Sequence, residues 1–124
     1  GLIGFGGIAK KVLAMAQGFG MQVKVWTRSP EMHLDQYSAD LFTDIETLLQ
    51  TSDFISLHLP LNENTHEILG SDEIHNMKVG ATLINTARGG LVNEPALISA
   101  LRSGHLRGAG LDVFAEEPLA DGHP

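Results

Sequence analysis

Five short apolar runs separated by stretches of helical period constrain the fold of this chain more than any other feature. They are Leu2-Ile3, Gln22-Val23-Lys24-Val25-Trp26, Phe54-Ile55-Ser56-Leu57-His58, Ala81-Thr82-Leu83-Ile84-Asn85 and Gly108-Ala109-Gly110-Leu111-Asp112. Strand-length runs alternating with helical segments predict an α/β fold around a parallel sheet. The first run is shorter than the roughly 5–6 residues of an ordinary strand. Residue 1 is Gly rather than Met, and the chain stops in the loop Gly122-His123-Pro124. A domain truncated at both ends, covering 1–124 of a longer chain, is therefore expected.

Local signals place the helices. Val12, Leu13, Ala16 and Phe19 fall at helical spacing, and Gly18 and Gly20 close that segment. The stretch from Thr27 to Asp40 is polar and reads as irregular, with a short strand at Leu41-Phe42. Thr43-Asp44-Ile45-Glu46 has the form of a capping box, with Thr43 as the cap and Glu46 reaching back. Ser71 is expected to cap a short helix whose first turn carries Asp72 and Glu73. Asn93 caps another, Pro95 is tolerated in its first turn, and Gly104 ends it. The final strand is rich in small residues, which predicts close packing against a neighbouring element.

Composition excludes several classes of function. The net charge is −7, and Lys10-Lys11 is the one adjacent basic pair, so a nucleic-acid surface is not expected. No cysteine is present, which removes disulfides, zinc–thiolate sites and a thiol nucleophile, and fits an intracellular, cytoplasmic protein. No apolar run approaches the roughly 20 residues of a membrane span, and no signal peptide is visible. His33, His66, His75 and His105 show no metal-ligand spacing, so no metal site is expected.

Gly4-Phe5-Gly6-Gly7-Ile8-Ala9 follows a strand and opens a helix, the context in which a glycine loop binds a dinucleotide. Together with the alternating pattern it points to a Rossmann-type doubly wound sheet. Gly4 suits the tight turn, Gly6 lets backbone approach a pyrophosphate, and Ala9 stands where a third glycine would serve packing. Exposed amides near Gly7 and Ile8 would meet the phosphates at the positive helix end. Taken alone, the loop could equally be a turn chosen for its geometry. An NAD site commonly carries Asp or Glu at the end of the second strand, to hold the ribose hydroxyls. Here the residues are Thr27, Arg28 and Ser29. A guanidinium between two hydroxyls would hold a 2′-phosphate, so NADP is the preferred cofactor, with NAD the alternative and a solvated Arg28 the plain reading.

With Asn85-Thr86-Ala87-Arg88-Gly89, His58-Leu59-Pro60-Leu61 with Thr65, and Gly108 to Pro118 added to the glycine loop, the chain resembles the NAD(P)-binding domain of the D-isomer-specific 2-hydroxyacid dehydrogenases. The resemblance covers nearly the whole chain. One departure is Gly7, where many relatives carry an arginine.

The resemblance implies the following roles. Arg88 binds the substrate carboxylate and helps polarise its carbonyl, which suits a permanently charged, fork-shaped group just past a strand end. Glu117 supports the catalytic histidine; it also counts against formate dehydrogenase activity, since those relatives carry glutamine there. Asp112 accepts from the nicotinamide carboxamide, Thr86 and Ala87 line the same ring, and Leu59 to Thr65, with Pro60, form the loop under the adenosine half. His58 is a packing or cofactor-side residue. The proton-donating histidine and the substrate domain would lie outside these residues, and His123-Pro124 resembles a non-catalytic His-Pro. The implied activity is hydride transfer between NAD(P)H and a small 2-oxo or 2-hydroxy acid such as glyoxylate or hydroxypyruvate, by a homodimer. A corepressor-like NAD(H) sensor of the same fold and an inactive relative are the alternatives.

Overall fold

The computed structural model describes residues 1–119 and 121–124. Among them, five parallel strands form one sheet: β1 (Leu2–Ile3), β2 (Val25–Trp26), β3 (Phe54–Leu57), β4 (Thr82–Asn85) and β5 (Gly108–Leu111). Their order is β2-β1-β3-β4-β5. The chain therefore moves outward from β1 in one direction, then returns to its other side, which leaves a switch point between β1 and β3. Crevices at such points, at the carboxyl ends of the strands, are where open α/β sheets take ligands.

Helices cover both faces. Successive strand residues point to opposite sides, and in β1 Leu2 packs with Ala9 and Leu13 of α1 (Gly7–Gly18), whereas Ile3 packs with Leu48 and Leu49 of α2 (Ile45–Thr51). The α2 face also carries α3 (Ser71–Asn76) and α4 (Glu94–Arg102), with Ile55, Leu57 and Leu83 of the sheet buried beneath them. The crossovers beyond β1 bring their helices to this side.

The other face is covered only in part among the described residues. The run Phe54–Leu57 alternates: Ile55 and Leu57 are buried, while Phe54 is exposed and Ser56 half-buried. Gly108 and Gly110 fall on the same side as Phe54 and Ser56 by register. A methyl group on either glycine would meet nothing within 4 Å, so the close packing expected for β5 is not found. The reason is coverage: α1 sits over β1 and β2, and the far half of that face has no described helix on it.

Two caps differ from expectation by one residue. The Thr43 amide donates to the Val25 carbonyl at 3.0 Å, continuing a single parallel bridge between Val25 and Phe42. Thr43 is thereby held in extended pairing, and Asp44 caps α2 instead, accepting from the Thr47 amide and hydroxyl, each at 2.7 Å. That bridge is all that forms of the strand expected at Leu41-Phe42, and the segment before it holds two 3-10 turns, Pro30–His33 and Ala39–Leu41. At α3 the cap is Gly70, whose amide donates to the Glu73 carboxylate at 3.1 Å, and Ser71 is the first helical residue. Asn93 caps α4 as expected, accepting from the Ala96 amide at 3.0 Å.

Candidate active site

The glycine turn is built on a contact that excludes any side chain. Gly4 has φ +97°, and a Cβ there would come within 2.5 Å of the His58 carbonyl. Its amide donates to the Trp26 carbonyl at 2.8 Å, which ties the ends of β1 and β2 together. The backbone then turns into α1 at Gly6, the helix N-cap. Methyl groups on Gly6 or Gly7 would project into open space.

That space is a cleft of about 280 Å³ at the switch point, lined by Gly6–Ala9, Leu57–Pro60 and Thr86–Arg88. Nine of the sequence-derived candidates therefore meet in one place: Gly6, Gly7, Ile8, His58, Leu59, Pro60, Thr86, Ala87 and Arg88. The His58 Nε2 is buried there without a partner among the described residues. Burial holds the His58 imidazole below its ordinary pKa, so it sits in the cleft as a neutral ring.

The Arg88 loop is shaped by Asn85, a residue of the motif to which sequence reasoning gave no role of its own. Asn85 is 1 % exposed, at the end of β4. Its side-chain oxygen accepts from the Ala87 amide at 3.0 Å and its nitrogen donates to the Arg88 carbonyl at 2.9 Å. An Asn bonded to the amide two positions on is an Asx turn, so an Asn ending an apolar run just before Arg-Gly-Gly was the available signal. Arg88 itself is exposed, with Nη1 donating to the Ala87 carbonyl at 2.7 Å.

Two neighbours press on this loop. A Cβ on Gly90 would meet Leu61 at 2.9 Å, which brings the Leu59–Thr65 loop against it. A Cβ on Gly89 would collide with the Phe114 carbonyl group. The segment carrying Glu117 therefore crosses directly over the residue after Arg88. Within that segment the Glu117 carboxylate accepts from the Phe114 amide at 3.0 Å.

The remaining candidates lie off the cleft lining. Gly4 sits beneath it as the turn. Thr65 is buried, its hydroxyl donating to the Pro60 carbonyl at 2.6 Å and accepting from the Asn62 amide at 2.9 Å, so it organises its own loop. Asp112 is exposed at the end of β5, its amide donating to the Asn85 carbonyl at 3.0 Å. Thr27, Arg28 and Ser29 follow β2 at the same edge of the sheet, with Arg28 exposed. No cluster of three or more metal-ligating side chains occurs among the described residues. None of their helices is long and apolar enough to cross a membrane.

Comparison with known proteins identifies the family of the chain. Residues 1–124 match the family model of the D-isomer specific 2-hydroxyacid dehydrogenase, NAD binding domain. The chain is similar to a glyoxylate reductase of Thermococcus litoralis, 46% identical over 95% of this chain and 36% of that protein. Among solved structures it is similar to a glyoxylate reductase from Paecilomyes thermophila, with TM-score 0.84, 38% identity, and coverage of 98% of this chain and 37% of that one. An acyclic imino acid reductase in complex with NADPH and D-Arg gives TM-score 0.83 and 40% identity, covering 93% of this chain and 36% of that one. The chain thus spans little more than a third of the length of such relatives. Over that span it belongs to the D-isomer specific 2-hydroxyacid dehydrogenases, as their NAD-binding domain.

Proposed function

We propose that the protein is an NAD(P)-dependent oxidoreductase acting on a small 2-oxo or 2-hydroxy acid such as glyoxylate or hydroxypyruvate, with this chain as its nucleotide-binding part. The observation that carries the reading is that Arg88 and the Gly6–Ile8 helix start line one cleft at the switch point of the sheet. The residues fit a dinucleotide. Gly6 and Gly7 leave open the space that side chains would fill, amides at the start of α1 face it, and the unpartnered His58 nitrogen lies beside it. Gly6 to Ile8 would hold the pyrophosphate, Leu59 and Pro60 the adenosine half, and Thr86, Ala87 and Asp112 the nicotinamide end. The bound nicotinamide supplies or accepts the hydride.

This chain's own residues do the rest. Arg88 grips the substrate carboxylate through two parallel N–H···O bonds and draws charge toward the carbonyl. Its hydrogen bond to the Ala87 carbonyl holds the guanidinium against its own loop, which limits the freedom lost on binding. Glu117 steadies a histidine that donates the proton from elsewhere in the protein. The names of the relatives favour a reductase over a corepressor-like sensor.

NADP is the preferred cofactor in this reading. Thr27, Arg28 and Ser29 put a cation between two hydroxyls where a carboxylate would repel a 2′-phosphate; among the structural neighbours one holds NADPH and two hold NAD. A homodimer and a cytoplasmic location belong to the same proposal. The test is steady-state turnover of the full-length protein on glyoxylate and hydroxypyruvate with NADPH and NADH. Turnover faster with NADPH is expected; no turnover with either cofactor would end the reading.

A further inference from the structure

The first residue of α4 uses both oxygens of its carboxylate on partners 21 and 29 residues downstream. One Glu94 oxygen accepts from the Ala115 amide at 3.1 Å, and the other pairs with the His123 Nε2 at 2.5 Å. These partners flank Glu117. Phe114, packed edge-on against the His123 ring with centroids 5.6 Å apart, carries the amide that Glu117 accepts from. Its carbonyl is also the group that fills the space beside Gly89. Glu94 is itself well anchored, because the Asn93 amide donates to the Leu69 carbonyl at 2.9 Å while the Asn93 side chain caps the helix. The hydrogen bond from His123, and then that from the Ala115 amide, hold the Glu94 carboxyl below its usual pKa, so the staple is anionic.

The sequence offers no such role for Glu94, which looks like an ordinary acidic residue favoured at a helix start. His123 does not line the Arg88 cleft, and its ring is engaged as a strut rather than presented to a substrate.

We infer that Glu94 is a positioning residue: by fastening Ala115 and His123 to the start of α4, it sets the turn bearing Glu117 against the Arg88 loop. The inference rests on the proposed hydride-transfer function for its consequence, and on hydrogen bonds alone for the staple. Loss of the staple lets the Glu117 turn drift, and misplacement by about an ångström costs up to about 100-fold in rate.

The test compares Glu94→Ala, Glu94→Gln and His123→Ala in the full-length protein, with glyoxylate and NADPH as probes and amide hydrogen exchange over residues 112–119 as a readout independent of turnover. For Glu94→Ala, kcat with glyoxylate should fall about 10- to 100-fold while KM for NADPH stays within about 2-fold, since the glycine turn is untouched. Glu94→Gln retains an acceptor for the Ala115 amide and should recover most of that loss. Exchange at Ala115 should speed up in Glu94→Ala and much less in Glu94→Gln. A folded Glu94→Ala protein with unchanged kcat overturns the positioning role. If the parent protein turns over no 2-oxo acid, the functional reading falls and exchange alone decides: faster exchange at Ala115 upholds the staple, and unchanged exchange removes it.

Discussion

The side chain of Asn85 bridges the turn to Arg88, donating to the Arg88 carbonyl at 2.9 Å while accepting from the Ala87 amide at 3.0 Å. A buried amide at the end of β4 thus determines where the guanidinium starts. Replacing it with Ala leaves those two backbone groups without their partner, at about 1–3 kcal/mol for each that stays unsatisfied. Asn85→Ala should lower the denaturant midpoint and raise KM for the 2-oxo acid, and Asn85→Asp should not restore either, because it keeps the acceptor for the Ala87 amide but sets a buried carboxylate oxygen against the Arg88 carbonyl. Equal midpoints for Asn85→Ala and the parent would remove the side chain from this role.

Gly89 is the second constraint on the same loop. A Cβ there has no room, because the Phe114 carbonyl occupies its place. Gly89→Ala forces two backbone segments apart, so it should lower both the thermal midpoint and kcat, whereas Gly6→Ala, whose methyl enters open space, should leave the thermal midpoint near that of the parent. Thermal midpoints measured together with kcat check this. A Gly89→Ala protein that keeps full kcat would contradict the close crossing.

Arg88→Lys keeps the charge but loses the fork. If the guanidinium binds carboxylate through two bonds, kcat/KM for glyoxylate should drop by at least about 10-fold, with KM for the dinucleotide little altered. A loss seen only in dinucleotide KM would place Arg88 with the cofactor instead.

Arg28→Gln tests the cofactor preference. Arg28 is exposed at the end of β2, so the change should fold normally. A charge-assisted contact to phosphate is worth about 1.5–3 kcal/mol, and KM for NADPH should rise by roughly 10- to 100-fold while that for NADH barely moves. Parallel changes with both cofactors would argue against a 2′-phosphate site.

The buried imidazole of His58 predicts a pH dependence of stability. Burial lowers its pKa below 6.5 in the folded protein. Well above pH 6.5 the ring is neutral in both states and has no effect on the pH dependence. Below that value the unfolded chain takes up the proton first, so stability falls as the pH drops toward the folded pKa. The thermal midpoint of the parent should fall more than that of His58→Gln between about pH 7.5 and pH 5.5. Glu94, whose carboxyl lies below its ordinary 4.5, loses its stabilising effect only at more acidic pH, outside that window. Identical pH dependence in the two proteins would mean that the ring is solvated.

What was legible in the sequence followed from local physics. The parallel sheet came from strand-length apolar runs, and the glycine turn from Gly4-x-Gly6 placed between a strand and a helix. The Asn93 cap was visible because capping involves residues three positions apart. The misplaced caps at Thr43 and Ser71 had a non-local cause for the first: pairing to Val25 holds Thr43 extended, which no window around Thr43 contains. Asn85 carried a local signal, its Asx turn, but its burial did not show. Glu94 carried none, since its partners lie at 115 and 123.

Hydrophobic pattern by itself determined the class of sheet and the loops that would meet at its carboxyl edge, while the family resemblance rested on particular motifs such as Asn85-Thr86-Ala87-Arg88-Gly89. Short-range geometry and hydrophobic periodicity are written residue by residue, so they survive in a bare sequence. The tertiary structure alone decided that Gly89 must yield its space to Phe114, that Glu94 holds the downstream turn, and that one face of the sheet is only partly covered. Those are contacts between segments distant along the chain, and their energies depend on how the whole chain closes rather than on any one stretch of it.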